Sequence, residues 1–286
     1  MTIREQNTRE NKGRFIKDFT SHPEYPPGCR YQIDLIEGCS SHCAYCFLDD
    51  YLNTDPIVIF SNPMDLEKEL QESSGDEFNL TVTCDGSMLP LLKDDISAVF
   101  KILSRFPQKT FEIRFKSLGV LELLKFSPPE NIVFTSTISG YSISHYLEKG
   151  TSSVDQRISA LKEFQHKGYR IGVILDPVIL YDDWEKEYIQ IFRSIESAFD
   201  HIDRLGIGLL RLTKGMKDIF LQRVSQTQMR GRLKGELFLG EDGKYRYVFA
   251  ERQKAYKKLK EMSANINAEK RIVFMENPDA GKEFLP

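Results

Sequence analysis

Tyr31-Gln-Ile-Asp-Leu-Ile36-Glu-Gly38-Cys39-Ser-Ser-His42-Cys43-Ala-Tyr45-Cys46-Phe47 joins a β-rich apolar run to three cysteines at C-x3-C-x2-C spacing. A strand that runs straight into a polar, ligand-bearing loop is the first unit of a βα fold, with its chemistry in the loop that follows the strand. Three thiolates this close can wrap one metal centre, and thiolates suit iron–sulfur clusters and zinc. A cubane on Cys39, Cys43 and Cys46 leaves one iron free for another ligand. Zinc on the same three with His42 is the alternative. His42 adjoins Cys43, however, and adjacent residues rarely close a relaxed tetrahedron. No partner C-x2-C lies downstream, where Cys84 stands alone.

Bulk properties agree with a soluble metal protein. Of the 286 residues, 41% are hydrophobic and 28% charged, which is ordinary for a globular chain. The net charge of −3 gives no whole-molecule field to attract nucleic acid, so such a site needs a local patch. Nothing approaches the roughly 18 consecutive apolar residues of a membrane span. The stretch from Met1 to Arg14 is polar and lacks the apolar segment of a secretory signal. Five cysteines, three of them bunched, fit a cytoplasmic metal site better than a disulfide framework.

Outward from the cysteines, short apolar runs alternate with helical patterns. Tyr31–Ile36, Phe78–Thr83, Phe111–Phe115, Ile132–Thr137, Ile171–Leu175 and Leu205–Leu212 read as strands rich in Val, Ile, Phe and Thr. Between them lie amphipathic segments over Asp65–Gln71, Asp94–Arg105, Val154–Lys167 and Asp182–Phe199, the last holding the single tryptophan, Trp184, near its start. The alternation predicts an α/β fold with a parallel sheet, a partial (β/α)6 TIM-like barrel. Glu236–Phe249 reads as a hairpin around Glu241-Asp242-Gly243, Ala250–Met262 as a helix and Lys270–Met275 as a final strand. The expected organisation is an extension over 1–28, the barrel over 29–214, and a C-terminal hairpin-and-helix element over 215–286. Gly206-Ile-Gly208 lacks the third glycine of a dinucleotide fingerprint, and neither a phosphate-cradling lysine loop nor an H-E-x-x-H run occurs.

The C-x3-C-x-aromatic-C pattern, with Tyr45 at the aromatic position, resembles the signature of radical S-adenosylmethionine enzymes. More narrowly, Cys46-Phe-Leu-Asp-Asp-Tyr51-Leu-Asn53, Gly150-Thr-Ser-Ser-Val-Asp-Gln-Arg157-Ile, Gly168-Tyr-Arg-Ile-Gly172 and Asp176-Pro-Val-Ile-Leu-Tyr-Asp-Asp-Trp184 are similar, in order, to blocks of the spore photoproduct lyase family. The resemblance implies a 4Fe–4S cluster on Cys39, Cys43 and Cys46, and S-adenosylmethionine cleaved to a 5′-deoxyadenosyl radical. It also implies an external electron donor such as flavodoxin or ferredoxin, and repair of a thymine dimer in DNA.

The same resemblance suggests site residues. Cys84 corresponds to the region of the family's hydrogen-donating cysteine, though a buried structural thiol is the alternative. Tyr45 is a catalytic and cofactor-binding candidate. Lys116 resembles the lysine that approaches the cofactor carboxylate, against a plain surface lysine. Thr137 and Ser139 end the fourth strand, where the family has polar cofactor contacts, against simple turn chemistry. Asp176 is a weaker candidate at the same face. Phe47 is a departure: the family has a tyrosine there, thought to relay the hydrogen back, and phenylalanine has no O–H to give. That departure suits a relative acting on another substrate.

Arg211, Lys214, Lys217, Arg223, Arg230, Arg232 and Lys234 form a basic segment opposed in sequence only by Asp218. Phosphate binding needs such an excess, and damaged duplex DNA is the partner it suggests; a solvated helix and loop is the alternative. By analogy, the hairpin is a candidate wedge beside a flipped lesion. A non-catalytic metal-binding nucleic-acid protein is the third reading.

Overall fold

The computed structural model describes residues 5–18, 31–52 and 56–274, with side chains up to residue 271. Asn53, Met275 and the expected boundary after residue 28 lie outside the described residues. Eight strands form the main sheet: β1 (Ile16–Asp18), β2 (Tyr31–Ile33), β3 (Glu77–Asn79), β4 (Thr110–Phe115), β5 (Ile132–Thr137), β6 (Arg170–Val178), β7 (Ile202–Leu209) and β8 (Ala268–Phe274). Their spatial order is their chain order. Every pair is parallel except β1–β2.

A sheet wound one way in sequence is the topology of a barrel rather than of a doubly wound sheet. This barrel is partial, since β1 and β8 are edges. The sheet is nevertheless strongly curled, because Lys270 of β8 reaches across to ion-pair with Glu77 of β3. Strands β5 and β7 are buried along their whole length, as expected where helices cover a parallel sheet.

The covering helices are α1 (Leu66–Glu72), α2 (Asp94–Leu103), α3 (Tyr141–Leu147), α4 (Val154–His166), α5 (Trp184–Ala198), α6 (Met216–Ser225) and α7 (Phe249–Met262). A capping box at Ser153 and Gln156 starts α4, and Phe164 stacks on Phe134 of β5 with ring centroids 3.7 Å apart. The β4–β5 connection is a 3-10 run, Leu118–Phe126. Among the described residues, no helix is long and apolar enough to cross a membrane.

Three strands end earlier than expected. The first stops at Ile33, and Ile36–Glu37 instead joins a small sheet with Ile57–Phe60 and Gln6–Arg9. The second stops at Asn79, whose side-chain oxygen accepts the Thr81 N–H at 2.8 Å and turns the chain away. The sixth ends at Leu209, and Arg211–Thr213 pairs with Lys244–Tyr247, making the hairpin a three-stranded sheet with Leu237–Leu239. The final strand belongs to the main sheet beside β7.

Candidate active site

The three-cysteine loop hangs between two anchors. At its entry Gly38 has φ +104°, and an added Cβ would lie 3.2 Å from the Ile57 Cα, so glycine is required there. At its middle, His42–Cys43 pairs antiparallel with Glu148–Lys149, with Cys43 opposite Glu148. Cys46 then leads into the one-turn helix Leu48–Tyr51.

Burial pushes the Cys39 thiol up to about 12, helped by the Asp85 carboxylate, and pushes Cys43 and Cys46 up as well. The three sulfurs lie within electrostatic reach of one another. Buried thiolates gathered in this way need a cationic centre to hold them. Among the described residues, no three His, Cys, Asp or Glu side chains converge as ligands of a single ion. Three cysteine ligands match a 4Fe–4S cubane with one iron left free, whereas structural zinc takes four ligands.

Behind the loop lies a buried hub on Glu148. Its Oε1 accepts hydrogen bonds from the Tyr45 hydroxyl, the Ser139 hydroxyl and the Lys116 ammonium, the last at 3.1 Å. Its Oε2 accepts from Arg157 Nη2 at 2.5 Å. Lys116 also donates to the Tyr45 oxygen at 2.6 Å. Arg157 is fastened to the Thr137 carbonyl, the Ser152 carbonyl and Thr151 Oγ1, each at 2.8 Å. Burial alone would raise the Glu148 carboxyl; Lys116 and Arg157 outweigh it and hold the group below the usual carboxylate range.

The predicted site residues therefore divide. Lys116 is not a surface lysine: its side chain is 15% exposed and its ammonium bonds Tyr45 and Glu148. Ser139 and Tyr45 meet it at Glu148, while Thr137 enters through its carbonyl. Asp176 pairs with Arg211 at 2.7 Å instead. Cys84 is buried close enough to Cys39 to interact with it electrostatically. It does not sit on a strand, so face alternation does not orient it. Thr83 fixes its place, its one hydroxyl hydrogen shared between the Ile36 carbonyl at 2.8 Å and Asp34 Oδ1 at 3.0 Å. Phe47 is 38% exposed, with its ring beside that of Tyr51.

Glu148 is not singled out by the sequence, and Arg157 stands there only as part of the Gly150–Ile158 block, with no role of its own. The available signal was Arg157 in register with Leu161 and Phe164 on the apolar face of α4, a charge where a core residue belongs.

The basic segment is less free than its sequence suggests. Arg211 pairs with Asp176, Arg223 with Asp49 at 2.6 Å, and Lys234 with Asp182 at 2.8 Å, so Asp218 is not the sole opposing charge. Lys217 lies over the Tyr245 ring. Arg223 also donates to the Ala44 carbonyl of the cysteine loop at 3.4 Å. Lys214 and Arg230 remain exposed.

Comparison with known proteins agrees with this geometry. Residues 16–275 match the family described as spore photoproduct lyase. The spore photoproduct lyase of Geobacillus sp. (strain Y412MC61) is 27% identical over 218 residues, 71% of this chain and 63% of the relative. This chain thus spans just under two thirds of that relative's length. A solved spore photoproduct lyase point mutant superposes with a TM-score of 0.78 at 22% identity, covering 95% of this chain and 82% of the other. A second mutant, solved with bound AdoMet and dinucleoside spore photoproduct, gives 0.75 at 22% identity over 89% and 78%. These structures share the fold. With the family match running almost the whole length of the described barrel, the chain belongs to the spore photoproduct lyase family.

Proposed function

We propose that this chain is a radical S-adenosylmethionine lyase that repairs the spore photoproduct, a thymine dimer, in DNA. The observation that carries the reading is the placement of the three-cysteine loop against the Tyr45–Lys116–Glu148 hub, with Cys43 paired to Glu148, at the strand ends where a parallel barrel does its chemistry. Cys39, Cys43 and Cys46 would hold a 4Fe–4S cluster. Bound there, such a cluster would supply the electron for reductive cleavage of S-adenosylmethionine, the radical chemistry that the repair needs.

The chain's own residues bind and orient. Lys116 offers a buried ammonium to the cofactor carboxylate, and Tyr45, Ser139 and the Thr137 backbone line the same end. Cys84 keeps a hydrogen atom on Sγ for the thymine radical left when the crosslink opens; its burial holds the group as a neutral thiol. Damaged duplex DNA meets the segment Arg211–Lys234, where exposed Lys214 and Arg230 provide phosphate contacts, and the hairpin of residues 237–247 acts as the wedge. Residues 215–286 thus serve as the nucleic-acid element. The enzyme works in the cytoplasm, where thiols stay reduced, with an electron donor such as flavodoxin or ferredoxin.

Phe47 favours a second reading, the same radical with another substrate. One assay separates the two. Anaerobically reconstituted protein is mixed with S-adenosylmethionine, dithionite and DNA containing the dimer, and 5′-deoxyadenosine and restored thymine are quantified together. Both products are expected. Deoxyadenosine without restored thymine selects the second reading, and neither product sinks both.

A further inference from the structure

Glu148 has no polar surface role: its side chain is 0% exposed, as is that of Arg157. A buried carboxylate clamped by two cations is a costly way to stabilise a fold, since apolar residues of similar volume often do as well. The way its two oxygens are used points elsewhere. Oε2 is taken by Arg157, itself fixed to the Thr137 and Ser152 carbonyls. That leaves Oε1 rigidly presented to three groups from three different segments: Tyr45 of the cysteine loop, Lys116 after β4 and Ser139 after β5. The backbone of Glu148 meanwhile pairs with Cys43. One residue therefore sets the spacing between the thiol loop and the lysine.

We propose that Glu148, anchored by Arg157, is a positioning residue for S-adenosylmethionine: it holds the Lys116 ammonium and the Tyr45 hydroxyl in register with the cysteine loop. This rests on the functional reading above. Without the carboxylate, Lys116 loses its counter-charge and Tyr45 its acceptor, and both leave the geometry that a bound carboxylate needs.

The test uses reconstituted full-length protein. Its readouts are iron content, S-adenosylmethionine affinity by equilibrium dialysis, and the change that S-adenosylmethionine makes to the EPR spectrum of the reduced cluster. Wild-type protein must show that spectral change; if it does not, the functional reading itself fails, whatever Glu148 does. Given a responsive wild type, Glu148→Gln is expected to retain iron yet bind S-adenosylmethionine at least about tenfold more weakly, the scale of a lost charge-assisted contact, with an altered spectral change. Because that variant leaves two buried cations facing an amide, the double variant Glu148→Gln/Arg157→Met, with one cation removed, carries the test if the single variant does not fold. Wild-type affinity and spectrum in an iron-loaded variant would overturn the proposal. Loss of fold or of iron in both variants would overturn it too, leaving Glu148 a folding residue.

Discussion

Two buried carboxylates share one set of ingredients and serve different ends. Glu112 lies in the middle of β4, 0% exposed, with Arg114 Nε at 2.7 Å, Thr135 Oγ1 at 2.8 Å and Arg204 Nη1 at 3.4 Å. Glu148 has an arginine, a lysine and two hydroxyls. These partners of Glu112, with Asn79 of β3 at 3.5 Å, come from strands of the main sheet, β3, β4, β5 and β7, held in ladder register. Those of Glu148 come from a loop, two strand ends and a helix. A mid-strand cluster fills the barrel interior, whereas one at the strand ends faces the chemistry. Position along the strand, not composition, separates scaffold from site.

The largest expected effect tests the scaffold side. Glu112→Gln removes a buried carboxylate from between Arg114 and Arg204, and should cost about 3–5 kcal/mol of stability. A urea titration reads this as a lower midpoint. The surviving folded protein should keep its cluster loop, so its iron content should match the wild type. A large drop in iron at unchanged stability would erase the distinction between the two clusters.

A smaller effect is expected at Gly172 on β6, which leaves room for the arginine of the scaffold cluster. A Cβ there would stand 2.5 Å from Arg204 Cγ and 2.8 Å from Thr135 Oγ1. Gly172→Ala should therefore cost about 1–3 kcal/mol by overpacking, again seen as a shifted denaturation midpoint. No shift at all would mean that Arg204 has room to move, and that this cluster is the softer of the two.

The same contrast explains what was legible in the sequence. Strands β4 and β5 were readable almost to the residue, because alternating or continuous Val, Ile, Phe and Thr reports burial directly. The thiol triplet was readable because its spacing is local. Lys116, Tyr45 and Ser139 were readable only through resemblance, since their meeting point is Glu148, distant from Tyr45 and Lys116 in sequence. The end of β3 was misjudged because an Asn79 side chain, not a loss of apolar character, stops the strand. The charge of the basic segment was overstated for a related reason: Asp49, Asp176 and Asp182 oppose it in space and not in its own stretch of sequence.

The smallest expected effect asks whether the Glu148 hub supports itself as the strand-borne cluster does. Ser153 caps α4: its side chain accepts the Gln156 N–H at 3.3 Å, and Gln156 returns a bond to the Ser153 N–H at 2.9 Å. Arg157 lies in the turn that follows. Ser153→Ala should cost about 1 kcal/mol of stability, the usual worth of an N-cap. Arg157 keeps its own grip on the Thr137 and Ser152 carbonyls and on Thr151, none of which uses the cap. Affinity for S-adenosylmethionine should therefore hold at the wild-type value while the denaturation midpoint falls. If affinity falls along with stability, the hub depends on the helix start. It would then be a strained assembly held by its surroundings, unlike the ladder-held cluster around Glu112.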